Sequence, residues 1–152
     1  MTHCMEKTVP GKDAVHRNFD VLIDSDALVG WFWAADSHHA EATQIFHTLE
    51  ATDQQLVLTS LVVGETATVL SHRSGQALAR TFLDHIERSK VPVIHITEEL
   101  NAAAIALFKA QTVKGTSLTD CANAVVARQF GIQELFSFDK VYARAFGLNT
   151  VT

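Results

Sequence analysis

Four carboxylates in this 152-residue chain end an apolar run or interrupt one: Asp24, Glu65, Asp120 and Asp139. Asp24 closes Val21-Leu22-Ile23, and Asp139 closes the stretch from Glu134 to Phe138. Glu65 lies among Val62, Val63, Ala67 and Val69, and Asp120 stands at the head of an apolar helix. Singly, each has an ordinary explanation. Asp24 and Asp139 would be turn formers at strand ends, Glu65 a solvated helical residue, and Asp120 the partner of Ser117 in a capping box. Jointly, side chains of one sign at that density would repel, which shifts their pKa values and destabilises the fold. A hard divalent cation relieves the repulsion, and Mg²⁺ or Mn²⁺ with carboxylate and water ligands suits such a donor set. Acid clusters of this type hydrolyse phosphodiesters, one ion activating water and a second stabilising the leaving oxygen.

Whether the acids meet depends on the elements that carry them. The run from Val21 to Ile23 is continuously apolar, as in a strand buried on both faces of a parallel sheet. A short apolar helix or turn over Ala27 to Ala35 follows it. A helix capped at Asp36 or Ser37 is expected to reach Glu50, with Ala40, Ile45, Phe46 and Leu49 inward. Leu56 to Thr59 predicts a second strand, and Ser60 is the expected cap of a helix that ends near Ser74-Gly75. Gln76 to Ser89 has helical spacing of Leu78, Phe82, Leu83 and Ile86. Val91 to Ile96 predicts a third strand, Thr97 to Gln111 a helix with acids in its first turn, and Ser117 to Phe130 a helix stopped by Gly131. Glu134 to Phe138 is the fourth strand, and Leu148 to Val151 a last one. Strand-helix alternation with short connections implies an α/β fold: a three-layer α/β/α sandwich around a mostly parallel sheet. Ligands of such sheets bind beyond the carboxyl ends of the strands, where Asp24 and Asp139 would emerge together.

Composition fits one globular domain, with 47% apolar and 19% charged residues. The stretch 1–18 reads as a tail without the apolar block of a signal peptide, which leaves 19–152 as the domain. No run is long enough to span a bilayer. Cys4 and Cys121 sit in such unlike settings that a disulfide is not expected, consistent with a reduced, cytoplasmic protein. A net charge of −5 argues against nucleic acid, but bound divalent cations would offset much of it.

The segments VLIDSDALVG, LTSLVVGETATVL, SLTDCANAVVAR and FSFDKVYARAFG resemble, in order and spacing, the PIN-domain nucleases, and in particular the VapC-like toxins of toxin-antitoxin pairs. The resemblance covers nearly all of the chain after Phe19. It implies that Asp24, Glu65, Asp120 and Asp139 are the catalytic, metal-binding acids. Ser25, Thr119 and Ser137 fall where the family often has small hydroxyl residues that support the acids or hold phosphate. Asp26 replaces the family's frequent Asn or Ser, and its role is open between metal ligand, supporting residue and helix cap. The implied activity is endonucleolytic cleavage of RNA by metal-activated water, leaving 5′-phosphate and 3′-hydroxyl ends. The implied partners are RNA, a cognate antitoxin covering the acidic groove, and a second copy in a homodimer.

Lys140 and Arg144, one helical turn apart beyond Asp139, are the first candidates for holding RNA phosphates, ahead of Arg73, Lys114 and Arg128. Trp31, Phe32 and Trp33 cannot all face one side of a helix, so at least one is expected to be exposed or covered by a partner. The eight histidines have no zinc-ligand spacing with cysteine. Two rivals remain. The first is a PIN fold kept as a silent RNA-binding or scaffold module, for which loss of an acid would be the usual mark. The second is a haloacid-dehalogenase-like phosphatase with Asp24 as nucleophile. That chemistry also needs an acidic pair after the last core strand, where Asp139 stands alone.

Overall fold

A computed structural model describes residues 18–152. The tail expected over 1–18 therefore lies, except for Asn18, outside the described residues, as does Cys4. Val21–Ile23 forms β1, the middle strand of a five-stranded sheet. The others are β2 (Leu56–Thr59), β3 (Val93–Ile94), β4 (Glu134–Phe136) and β5 (Asn149–Thr150), in the order β3-β2-β1-β4-β5. Every pairing is parallel. Leu22 lies opposite Val57 on one side and Leu135 on the other.

The connections are helical: α1 (Ser25–Phe32), α2 (His39–Ala51), α3 (Ser60–Arg73), α4 (Gln76–Ser89), α5 (Glu98–Lys109), α6 (Leu118–Gln129) and α7 (Val141–Phe146). Because strand side chains alternate between faces, Val21, Ile23, Leu58 and Phe136 pack with Leu28, Phe46, Leu70 and Phe82 from α1 to α4. Leu22, Val57 and Leu135 pack with Leu100, Ala104, Cys121, Val126 and Tyr142 from α5, α6 and α7. The result is the three-layer sandwich expected from the element pattern.

Several local expectations are corrected. Ser60 does not cap α3. Thr59 does, its hydroxyl accepting from the Val62 amide at 3.2 Å, while Ser60 Oγ accepts from the Ile96 amide on the neighbouring chain segment. The inward residue of α2 is Ala42, and Ala40 is exposed. The aromatic triplet is half-buried throughout: α1 ends at Phe32, and Trp33 turns to extended backbone, which redirects its ring. Trp31 stacks on Phe46 at 4.4 Å between centroids, and Phe32 meets Phe82 edge-on at 5.1 Å.

Leu22 is fully buried at the sheet centre. Leu22→Ala is expected to destabilise the domain by about 2–5 kcal/mol, read as a lower urea midpoint with an unchanged m-value.

Candidate active site

The chain moves outward from β1 through β2 to β3 and then returns to β4 on the other side of β1. The direction reverses beside β1, so a crevice opens at the carboxyl ends of β1 and β4. Asp24 is the first residue past β1, and its amide donates to the carbonyl of Phe136 at the end of β4. Its carboxylate caps α1 through Oδ1, which accepts from the Ser25 amide at 2.8 Å and from Asn123 Nδ2 at 3.2 Å. Oδ2 accepts from Ser137 Oγ at 2.9 Å and from the Tyr142 hydroxyl at 3.0 Å.

Asp26 in the first turn of α1 is not the cap. Its Oδ2 accepts from the Phe138 amide at 2.9 Å and lies 3.3 Å from Ser137 Oγ, which ties α1 to the loop after β4. Its Oδ1 is buried with no hydrogen-bond partner. Asp139 is exposed. Its amide donates to Ser137 Oγ, and its Oδ1 accepts from the Val141 amide to open α7. Ser137 therefore touches Asp24, Asp26 and Asp139 at once.

Asp120 completes the expected capping box with Ser117, and its Oδ1 lies 3.3 Å from the Tyr142 hydroxyl. Glu65 is half-buried on α3, near the Ser25 side chain and within the field of Asp120. Thr119 is half-buried beside Asp120 and makes no side-chain hydrogen bond among the described residues. The fold thus brings Asp24, Asp26, Glu65, Asp120 and Asp139 to one end of the sheet.

Electrostatics there are one-sided. Burial, and then the charge of Asp26, push the Asp24 carboxyl up to about 7 against donors that hold it down. Burial is also the main cause of the raised pKa values of Asp26 and Glu65, reinforced by Asp139 and Asp120 respectively. Among the described residues, no Lys or Arg offsets the charge of these three groups. Burial and the two neighbouring acids raise the Tyr142 phenol far above its ordinary value, so it stays neutral and remains a donor.

The donor set fits a hard divalent ion: it is all oxygen, and among the described residues it has no cation acting on Asp24, Asp26 or Glu65 and no hydrogen-bond partner for Asp26 Oδ1. Among the described residues, no three Asp, Glu, His or Cys side chains converge closely enough to enclose an ion by themselves. That spacing suits an ion that takes one or two carboxylates and keeps several waters.

The model of the PIN domain matches residues 21–147. The chain belongs to the PIN-domain family. A 23S rRNA-specific endonuclease of Mycobacterium tuberculosis, VapC20, is 30% identical over 120 residues, covering 75% of this chain and 88% of that protein. The crystal structure of VapC20, described as a sarcin-ricin loop cleaving toxin, superposes with a TM-score of 0.74 at 26% identity, covering 84% of this chain and 95% of that one. A toxin-antitoxin complex from Klebsiella pneumoniae shares the fold at a TM-score of 0.60 and 22% identity, over 88% of this chain and 97% of that one.

In this PIN domain Lys140, the N-cap of α7, and Arg144 in its last turn are both exposed, while Val141, Tyr142 and Phe146 pack inward. The cation beside the site is Arg73 at the end of α3. It lines a concavity of about 360 Å³ together with Ser25, Asp26, Asp36, Ser37 and His38. Its guanidinium approaches Asp36 at 3.9 Å and is 58% exposed. Two residues in contact with Asp24 were not singled out from the sequence, Asn123 and Tyr142. Their signals were a lone amide within ANAVVA and the chain's single tyrosine.

A carboxyl whose folded pKa is raised stabilises the fold fully below its unfolded value and loses that contribution as pH rises through the folded value. In EDTA, Asp24 should therefore lower stability between its ordinary value of 3.8 and about 7, by up to about 4 kcal/mol. Asp24→Asn should remove most of that slope in thermal melts across the range. An unchanged slope would show that another group causes it.

Proposed function

We propose that this PIN domain is a divalent-metal-dependent endoribonuclease, using Mg²⁺ or Mn²⁺, and acts in the cytoplasm as the toxin of a toxin-antitoxin pair. The observation that carries the proposal is the gathering of Asp24, Asp26, Glu65, Asp120 and Asp139 at the sheet's carboxyl end, with no Lys or Arg among the described residues acting on Asp24, Asp26 or Glu65. Asp24, Glu65, Asp120 and Asp139 are the acids that hold the metal. Asp26, with its unpartnered oxygen, adds charge beside them. When bound, a divalent cation supplies the Lewis acidity that makes water nucleophilic and draws charge from the phosphate.

The chain's own residues set the geometry. Ser137 fixes Asp24 against Asp26 and orients the backbone of Asp139. Ser25 sets the cap of α1 near Glu65. Asp139 stays exposed, at the edge where a substrate approaches. Arg73 faces the adjoining concavity and offers the cation that an RNA phosphate needs. Lys140, next to Asp139, and Arg144, in the last turn of α7, extend that contact along the RNA.

The similarity to VapC20 supports RNA as substrate, with a structured ribosomal RNA loop as the first candidate. The same relatedness supports a cognate antitoxin that covers the acids and a homodimer as the free form.

Purified protein should cleave RNA in Mg²⁺ or Mn²⁺ and lose the activity in EDTA. Asp24→Asn and Asp120→Asn should each abolish cleavage while the circular dichroism spectrum stays that of the folded domain. Wild-type rates in either variant would refute the assignment. Arg73→Glu should raise KM for RNA several-fold with little change in kcat. A fall in kcat alone would place Arg73 elsewhere in the mechanism.

A further inference from the structure

Behind the acids lies a buried polar chain that crosses four elements. Thr59 Oγ1, fixed at the end of β2 by capping α3, lies 3.3 Å from Asn123 Oδ1 on α6 and donates to it. Asn123 Nδ2 donates to Asp24 Oδ1 at 3.2 Å and to the Tyr142 hydroxyl at 2.9 Å. That hydroxyl lies 3.0 Å from Asp24 Oδ2 and 3.3 Å from Asp120 Oδ1. Thr59, Asn123 and Tyr142 are all fully buried.

Donor and acceptor counting gives the chain one direction. Asn123 cannot flip, because its carbonyl would then face the carboxylate of Asp24 and its amide would lose two acceptors. The Tyr142 hydroxyl accepts from Asn123, so its single proton points at the two carboxylates. Those carboxylates come from elements that are distant in sequence, the end of β1 and the first turn of α6. A phenyl ring of the same shape would fill the space against Phe146 equally well. What the hydroxyl adds is a link between Asp24 and Asp120.

We propose that Tyr142 and Asn123 are positioning residues that hold Asp24 and Asp120 at the spacing and orientation a divalent ion requires. The proposal rests on Asp24 and Asp120 being metal-binding acids. Without the hydroxyl, Asp24 loses one of its four donors and Asp120 its tie to Asp24. The two carboxylates are then free to separate before the ion arrives. Groups that orient metal ligands from behind typically change metal affinity roughly 10- to 100-fold when removed.

The test titrates Mn²⁺ calorimetrically into metal-free full-length protein, comparing wild type, Tyr142→Phe, Asn123→Leu and Asp24→Asn, each normalised to its folded fraction by circular dichroism. Tyr142→Phe and Asn123→Leu should each weaken Mn²⁺ binding by roughly 10- to 100-fold. RNA cleavage by Tyr142→Phe, plotted against Mn²⁺, should shift to higher ion concentration and approach the wild-type kcat at saturation, with KM for RNA unchanged. Wild-type Mn²⁺ affinity per folded molecule in Tyr142→Phe, whatever its melting temperature, would overturn the proposal while leaving the acid site intact. So would tighter binding, or failure of both variants to fold, which would make the chain purely structural. Absence of Mn²⁺ binding in the wild type, or wild-type binding in Asp24→Asn, would instead overturn the metal-site assignment and the proposal with it.

Discussion

Asp24 is a carboxylate buried at the end of the central strand, with four hydrogen-bond donors and, among the described residues, no cation acting on it. Donors alone do not compensate a buried charge fully, and its pKa stays raised. Much of the surrounding architecture follows from this one unbalanced group. Its backbone continues the pairing of β1 with β4, its side chain starts α1, and its donors come from α1, the end of β4, α6 and α7. A site at which four elements converge on one carboxylate is rigid before any ligand arrives, and that rigidity is what a preorganised hydrolytic centre needs.

The remaining acids extend the same imbalance. Asp26 and Asp139 meet Asp24 through Ser137, Asp120 meets it through Tyr142, and Glu65 lies near Ser25 and within the field of Asp120. Several of these acids also cap helices, yet burial and mutual repulsion work against the charged forms of Asp24, Asp26 and Glu65. An oxygen-only cluster of this kind suits the hard cation proposed above and the phosphate that such a cation would attract. The overall charge of −5 does not by itself decide the question of nucleic acid, since divalent ions at the site would offset much of the local negative charge.

Much of this was legible in the sequence for identifiable reasons. The continuous apolarity of Val21-Leu22-Ile23 reflects burial on both faces, which only a central strand has. The capping box Ser117 to Asp120 is a short-range pattern and formed as expected. Less legible were features set by neighbours far along the chain. Thr59 and Ser60 are both good caps, and Thr59 takes the role because Ser60 is engaged by Ile96.

The sequence by itself determined the alternation of strands and helices, and with it a parallel sheet whose carboxyl edge carries Asp24 and Asp139. Both follow from periodicity and from turn chemistry, which act over a few residues. Only the tertiary structure decided that Asn123 and Tyr142 face Asp24, that Asp26 bonds across to Phe138, and that Arg73 lines the adjoining concavity. These contacts join residues up to 118 positions apart. They depend on the angles at which α3, α6 and α7 pack on the sheet, and no local pattern of residues encodes those angles.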